Sequence, residues 1–209
     1  MDIDSYLLSH TDQEPAHLAL INRKTHLHML NPRMLSGHLQ GRLLSMLSKM
    51  IKPKKILELG TFTGYSALCL AEGLDEEGVL HTIECDDELE EAIRNNLSLN
   101  KIGEKVLLHI GDALQVLSGL NELFDLIFID ADKRDYSKYF EAVFPKLNSG
   151  GFLLIDNTLW DAKVLLDKVA GNDEQTIAIQ RFNDQLAKDT RVEKLILPFR
   201  DGLTLVRKK

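Results

Sequence analysis

Between Ile56 and Ile155, apolar runs of strand length alternate with stretches of helical pattern, and this alternation restricts the possible folds more than any other feature of the chain. The runs are Ile56-Leu57-Glu58-Leu59, Val79 to Ile83, Val106 to Ile110, Leu126 to Ile129 and Phe152 to Ile155, with helical patterns near Ser66 to Glu72, Glu88 to Leu99 and Ser137 to Leu147. Strands that are nearly continuously apolar need cover on both faces, and strands joined through helices pair in parallel. The expected class is therefore α/β, a doubly wound sheet of about seven strands with helices on both faces. Its end changes character. After a helix near Thr176 to Lys188, Val192 to Leu197 and Leu203 to Arg207 flank Pro198-Phe199-Arg200-Asp201-Gly202, whose Asp-Gly is a hairpin signal, so an antiparallel C-terminal hairpin closes a mostly parallel sheet.

The 209 residues, 44% hydrophobic and 27% charged, suit one domain over residues 1–209 with a substantial core. Residues 1–36 form a helical, partly polar N-terminal appendage, with a helix start near Glu14-Pro15-Ala16 and a break at Asn31-Pro32-Arg33. A helix from Gly41 to Met50 leads through Lys52-Pro53-Lys54 into the first strand. The formal net charge of -7 argues against nucleic-acid phosphates as partners. There is no apolar run long enough to span a membrane, and Met1-Asp2-Ile3-Asp4-Ser5 lacks the basic start of a signal peptide, so a cytoplasmic location without membrane association is expected. Cys69 and Cys85 have no C-x-x-C spacing and read as free thiols, and the closest histidine pair, His26 and His28, has no further ligand nearby.

The first strand runs into Glu58-Leu59-Gly60-Thr61-Phe62-Thr63-Gly64-Tyr65-Ser66, placing two glycines at the strand-to-helix turn where open α/β sheets bind ligands. The G-x-x-x-G spacing lacks the third glycine of a dinucleotide fingerprint, and no Gly-Lys-Ser/Thr follows. Glu84, at the end of the second strand, suits the two hydroxyls of a ribose, a need common to NAD and S-adenosylmethionine. Glu58 tilts the choice toward the latter, because a carboxylate there repels a pyrophosphate and attracts a cationic amino-acid end. An NAD-linked oxidoreductase remains a second reading and a non-catalytic binding protein a third. A nucleic-acid base methyltransferase is disfavoured, since no Asn-Pro-Pro-Tyr type motif follows the fourth strand.

The fourth strand ends in Ile129-Asp130-Ala131-Asp132-Lys133 and the fifth in Ile155-Asp156-Asn157-Thr158-Leu159-Trp160. Neighbouring strands about 4.8 Å apart would bring the Asp130 and Asp156 carboxylates close enough to repel unless a cation lay between them. Two carboxylates and the Asn157 amide oxygen form a hard, all-oxygen donor set, suited to Mg²⁺ first and to Ca²⁺ or Mn²⁺ as alternatives. A cation there lowers the pKa of a chelated hydroxyl, and Lys133, three residues past Asp130, is placed to remove its proton, its own pKa lowered by burial and the nearby cation.

These three runs resemble the cation-dependent O-methyltransferase family that includes caffeoyl-CoA and catechol O-methyltransferases, over roughly Met34 to Arg207 and with the motifs in matching order. The resemblance implies a Rossmann-like domain that uses S-adenosylmethionine and a divalent cation to methylate a hydroxyl of a small catechol-like or phenolic acceptor. It implies metal positions at Asp130, Asp156 and Asn157, a catalytic base at Lys133, and cofactor positions at Ser36, Glu58, Gly60, Thr61, Ser66, Glu84, Ala113, Asp130 and Asp132. Trp160 resembles an aromatic residue bordering the acceptor, and a homodimer is implied, its N-terminal helices near the partner and the active-site mouth. Two departures stand out: the acyl-CoA contacts of the plant enzymes do not align to the segment before Met34, and Arg200 stands where similar sequences often have glycine.

Overall fold

The computed structural model describes residues 2–209; Met1, the first residue of the expected appendage, lies outside the described residues. The elements in chain order are α1 (Ile3–Ser9), α2 (Ala16–His28), α3 (Gly37–Ile51), β1 (Lys55–Leu59), α4 (Tyr65–Ala71), β2 (Val79–Glu84), α5 (Glu90–Leu97), β3 (Val106–Ile110), α6 (Ala113–Gly119), β4 (Phe124–Ile129), α7 (Tyr136–Val143), β5 (Leu147–Ile155), α8 (Glu174–Lys188), β6 (Val192–Leu197) and β7 (Leu203–Lys208). Among the described residues seven strands form one sheet in the order β3-β2-β1-β4-β5-β7-β6. All pairings are parallel except those of β7, which runs antiparallel to β5 and β6. The chain winds outward from β1 to β3 and then returns to place β4 against the other side of β1. That reversal opens a crevice beyond the carboxyl ends of β1 and β4.

Side-chain alternation along the strands separates two cores. On one face Ile56, Leu80, Leu126, Phe128, Leu154 and Leu203 pack under α2 to α5, through residues such as Leu18, Leu44, Leu68 and Ile93. On the other Leu57, Ile83, Ile127, Ile129, Leu153 and Val206 pack under α6 to α8, through Leu117, Tyr136, Phe140 and Phe182. No helix of the described residues is long and apolar enough to cross a membrane.

Several boundaries differ from the sequence reading. The N-terminal segment is not among them: α2 starts at Ala16, as expected, and the expected break at Asn31-Pro32-Arg33 is a short 3-10 turn at Pro32–Met34. α3 begins at Gly37, a turn before the expected Gly41, because its first turn carries polar side chains and shows no apolar periodicity. β5 starts at Leu147, running through Ser149-Gly150-Gly151, where turn-like composition hides a strand that pairs with β4 from Phe124↔Leu147 onward. The expected helix from Ser137 to Leu147 ends at Val143 and passes into a 3-10 turn at Phe144–Lys146. α6 was not expected at all: it has seven residues, of which only Ala113 and Leu117 are buried, too few to show a period.

Candidate active site

The strand register sets the site. Leu59 pairs with Ile129 and Ile129 with Ile155, so the residues after them, Gly60, Asp130 and Asp156, stand side by side at one sheet end. Backbone bonds carry the ladder one step further, from Asp130 N–H to the Leu59 carbonyl (2.9 Å) and from Asp156 N–H to that of Ile129 (3.0 Å). Gly60 has φ +92°, and a Cβ there would lie 2.1 Å from the Asp130 carbonyl oxygen. Glycine is thus required where the loops after β1 and β4 touch each other.

The loop after β1 is held by the acid expected to meet a ribose. Glu84 Oε2 accepts from the amides of Thr61 (3.2 Å) and Phe62 (2.7 Å), and Oε1 from Asp86 N–H (3.0 Å). Cys85 Sγ also donates to Oε1 at 3.6 Å, so the carboxylate is engaged by four donors of its own chain. Thr61 Oγ1 shares a 2.5 Å hydrogen bond with Thr82 Oγ1, and Thr82 donates to Glu58 Oε2 at 2.6 Å. Glu58 Oε1 is buried and, among the described residues, unpartnered. Burial pushes the Glu58 carboxyl up to about 8, against the pull of the Thr82 and Ser66 hydroxyls and with a further push from Asp130 and Glu84. Ser66 lies close enough to favour the charged form but outside hydrogen-bonding geometry.

Asp156 is buried, each oxygen holding one neutral donor: Oδ1 accepts from Asn157 N–H (2.9 Å) and Oδ2 from Gln40 Nε2 (2.6 Å). Burial first, then repulsion from Asp130, raises its carboxyl to about 6 despite these bonds. Asn157 adopts φ +58°, the left-handed region that asparagine tolerates better than most residues. Lys133 is buried and donates to Asp130 Oδ1 at 2.6 Å. Burial disfavours its charge, but the Asp130 carboxylate more than reverses this and holds the ammonium above the ordinary lysine range. The lowered pKa expected for this lysine rests on an adjacent cation; among the protein's own groups the Asp130 carboxylate is the nearest charge and acts in the opposite direction. Tyr136, one turn on, is buried and donates to the Asp156 carbonyl at 2.9 Å, its ring 5.3 Å from Lys133 Nζ.

Asp130, Asp156, Asn157, Lys133, Glu58, Gly60, Thr61 and Ser66 thus gather at the crevice. Ser36 is buried at the start of α3, where its carbonyl accepts from Arg200. Ala113 opens α6 beyond β3, on the far side of β2. Asp132 is turned to local work: it caps the Lys133–Asp135 turn and forms a two-pronged pair with Arg134, which holds its carboxyl below the usual range. Trp160 begins three consecutive residues at positive φ (47°, 51° and 59°), and its indole Nε1 is buried without a partner among the described residues. The amides of Thr158, Leu159 and Trp160 bond to the carbonyls of Gly202 and Asp201 (3.0, 2.7 and 3.2 Å), tying this segment to the last hairpin turn.

The sequence reading missed Gln40, Thr82 and Tyr136. Gln40 carried a signal, since it shares the buried stripe of α3 with Leu44 and Ser48, where a polar side chain needs a specific partner.

A family model described as O-methyltransferase matches residues 8–209. The chain is 32% identical over 208 residues to a caffeoyl-CoA O-methyltransferase of Stellaria longipes, covering 94% of this chain and 85% of that protein. It is 36% identical over 174 residues to catechol O-methyltransferase domain-containing protein 1 of Mus musculus, covering 81% and 66% of the two. The crystal structure of an O-methyltransferase from Bacillus cereus in complex with SAH superposes with a TM-score of 0.91 at 28% identity, over 99% of this chain and 97% of that one. The parallel order of β1, β4 and β5, the acids at their ends and a match along nearly the whole chain agree, and the chain belongs to the O-methyltransferase family.

Proposed function

We propose that this O-methyltransferase uses S-adenosylmethionine and a divalent cation, Mg²⁺ first among candidates, to methylate a hydroxyl of a small catechol-like or phenolic acceptor. The observation that carries this reading is the juxtaposition of Asp130 and Asp156 on adjacent strands beside Lys133 and a buried, half-satisfied Glu58. The SAH held by the Bacillus cereus relative supports the choice of cofactor.

The residues fit both groups. Glu58 Oε1 is a buried acceptor with no donor among the described residues, which a cationic ammonium would satisfy. Glu58, Gly60, Thr61, Ser66 and Glu84 would hold the cofactor, joined by Ser36, Ala113, Asp130 and Asp132. Asp130, Asp156 and Asn157 would hold the cation, whose charge would offset the burial and the Asp130 repulsion that raise the Asp156 carboxyl. S-adenosylmethionine supplies an electrophilic methyl on a sulfonium centre, and a bound cation makes a hydroxyl more acidic and restrains it. Lys133 Nζ is the proton acceptor for that hydroxyl. With the Asp130 charge engaged elsewhere, burial becomes the larger influence on Lys133 and favours its neutral, basic form. Trp160 borders the acceptor.

We read the chain as one domain over residues 1–209 with residues 1–36 as its appendage, located in the cytoplasm and paired as a homodimer. Exposed Ile3, Tyr6, Leu7 and Leu8 on α1 support pairing through the N-terminal helices. The test is incubation with labelled S-adenosylmethionine, Mg²⁺ and a panel of vicinal-diol phenols, free acids and CoA esters. Label is expected to enter a phenolic acceptor only with the cation present, and Asp156→Ala to lower turnover by roughly 100-fold or more. Full activity in excess chelator contradicts the reading.

A further inference from the structure

We propose that Arg200 is a positioning residue that acts through Gln40 to set the carboxylate of Asp156. The inference rests on the reading of Asp156 as a metal ligand. Arg200 sits in the turn between β6 and β7 at φ +49°, a backbone conformation disfavoured for any residue with a Cβ. It lies at the surface, yet its guanidinium turns back to the start of α3. Nη1 donates to the Ser36 carbonyl and, at 2.6 Å, to Gln40 Oε1, while Nη2 reaches the Leu35 carbonyl at 3.4 Å. Gln40 is 1% exposed and donates from Nε2 to Asp156 Oδ2 at 2.6 Å.

The direction of this relay follows from the chemistry of its ends. A guanidinium only donates and an ionised carboxylate only accepts, so a glutamine between them has one satisfactory orientation, oxygen toward Arg200 and nitrogen toward Asp156. Without Arg200 the buried amide loses what fixes its orientation, and the flipped state turns Oε1 onto the Asp156 carboxylate and repels it. With Arg200 in place, Gln40 holds one oxygen of Asp156 and the Asn157 amide the other. The carboxylate plane is set while each oxygen keeps a free lone pair for a cation. The same turn binds the segment after Asp156, since the carbonyls of Asp201 and Gly202 accept from Thr158, Leu159 and Trp160. One hairpin turn therefore braces the metal carboxylate directly behind the strand end and, through Gln40, from α3.

The test compares wild type, Arg200→Gly, Gln40→Met and the double variant by Mn²⁺ titration of the cofactor-free protein, followed by electron paramagnetic resonance. Kd for Mn²⁺ is the readout, alongside kcat and KM. Glycine suits φ +49°, so Arg200→Gly preserves the turn while removing the guanidinium. The expected result is a Kd raised about 10-fold in each single variant, the size typical of lost outer-shell support, with the double variant no worse than Gln40→Met alone. Arg200→Gly binding Mn²⁺ within about twofold of wild type overturns the proposal, and so does a double variant whose loss is the product of the two single losses. Failure of the unsubstituted protein to bind Mn²⁺ overturns the metal reading and this inference with it, an outcome seen before any variant is measured.

Discussion

Glu58 concentrates the conflict at the residue scale. It is an acid inside a core strand with one oxygen on Thr82 and the other unpartnered among the described residues, and its folded-state pKa of about 8 stands above the ordinary 4.5. A raised carboxyl favours the fold below its unfolded pKa, and that contribution is lost as pH rises through the folded value. The cofactor-free protein should therefore lose stability on the order of a few kcal/mol between pH 5 and pH 9, and Glu58→Gln should flatten that slope. Thermal denaturation across this range measures it; parallel profiles for the two proteins would show that Glu58 is not the group responsible. The same substitution should weaken S-adenosylmethionine binding about 10-fold or more, because the amide keeps the shape but not the charge. The strand-end residues Asp130, Lys133, Asp156 and Asn157 were legible in the sequence because each follows a recognisable apolar run. Gln40 and Arg200 were not read as partners: 160 positions separate them, and only the packing of α3 against the last hairpin brings them together.

At the scale of elements, α3 and α4 are joined by a polar clasp within an otherwise apolar layer. Glu72, at the end of α4, accepts from Arg42 (2.6 and 3.1 Å), Ser45 (2.7 Å) and Lys49 (2.8 Å), all on α3. Burial opposes the charge of Glu72, but these donors, Arg42 foremost, bring its carboxyl down to about 2. The depressed pKa gives stability that is present above the unfolded value of 4.5 and lost as pH falls through about 2. Glu72→Gln should cost on the order of 2 kcal/mol at pH 7, after allowance for partial exposure, with the difference from wild type closing between pH 4.5 and 2. Urea denaturation at a series of pH values decides it; a gap of constant size at all pH values would assign the loss to packing rather than charge. The strands and longer helices were legible because their periods are intrinsic to the backbone. α6 and the first half of β5 were not, since seven residues show no period and Ser149-Gly150-Gly151 enters the ladder only because β4 lies alongside.

For the whole molecule, the site forms where the sheet reverses its winding, so ligand binding should stabilise the entire fold. S-adenosylmethionine at about 100 times its Kd should add about 2.7 kcal/mol, seen as a rise in thermal midpoint, with a further rise on Mg²⁺ that chelator removes. A midpoint indifferent to both would show that neither binds the folded protein. The sequence by itself determined the α/β class, the parallel core with its antiparallel end, the glycine turn and the oxygen-bearing residues at the strand ends, because each is written in a local period or a short contiguous run. Only the tertiary structure decided how those groups behave. It set Lys133 against Asp130, turned Glu84 onto the loop amides, left one oxygen of Glu58 unmet among the described residues, and routed Arg200 through Gln40 to Asp156. The reason is physical: charge state and orientation depend on burial and on the nearest partner in space, and neither is a property of neighbours along the chain.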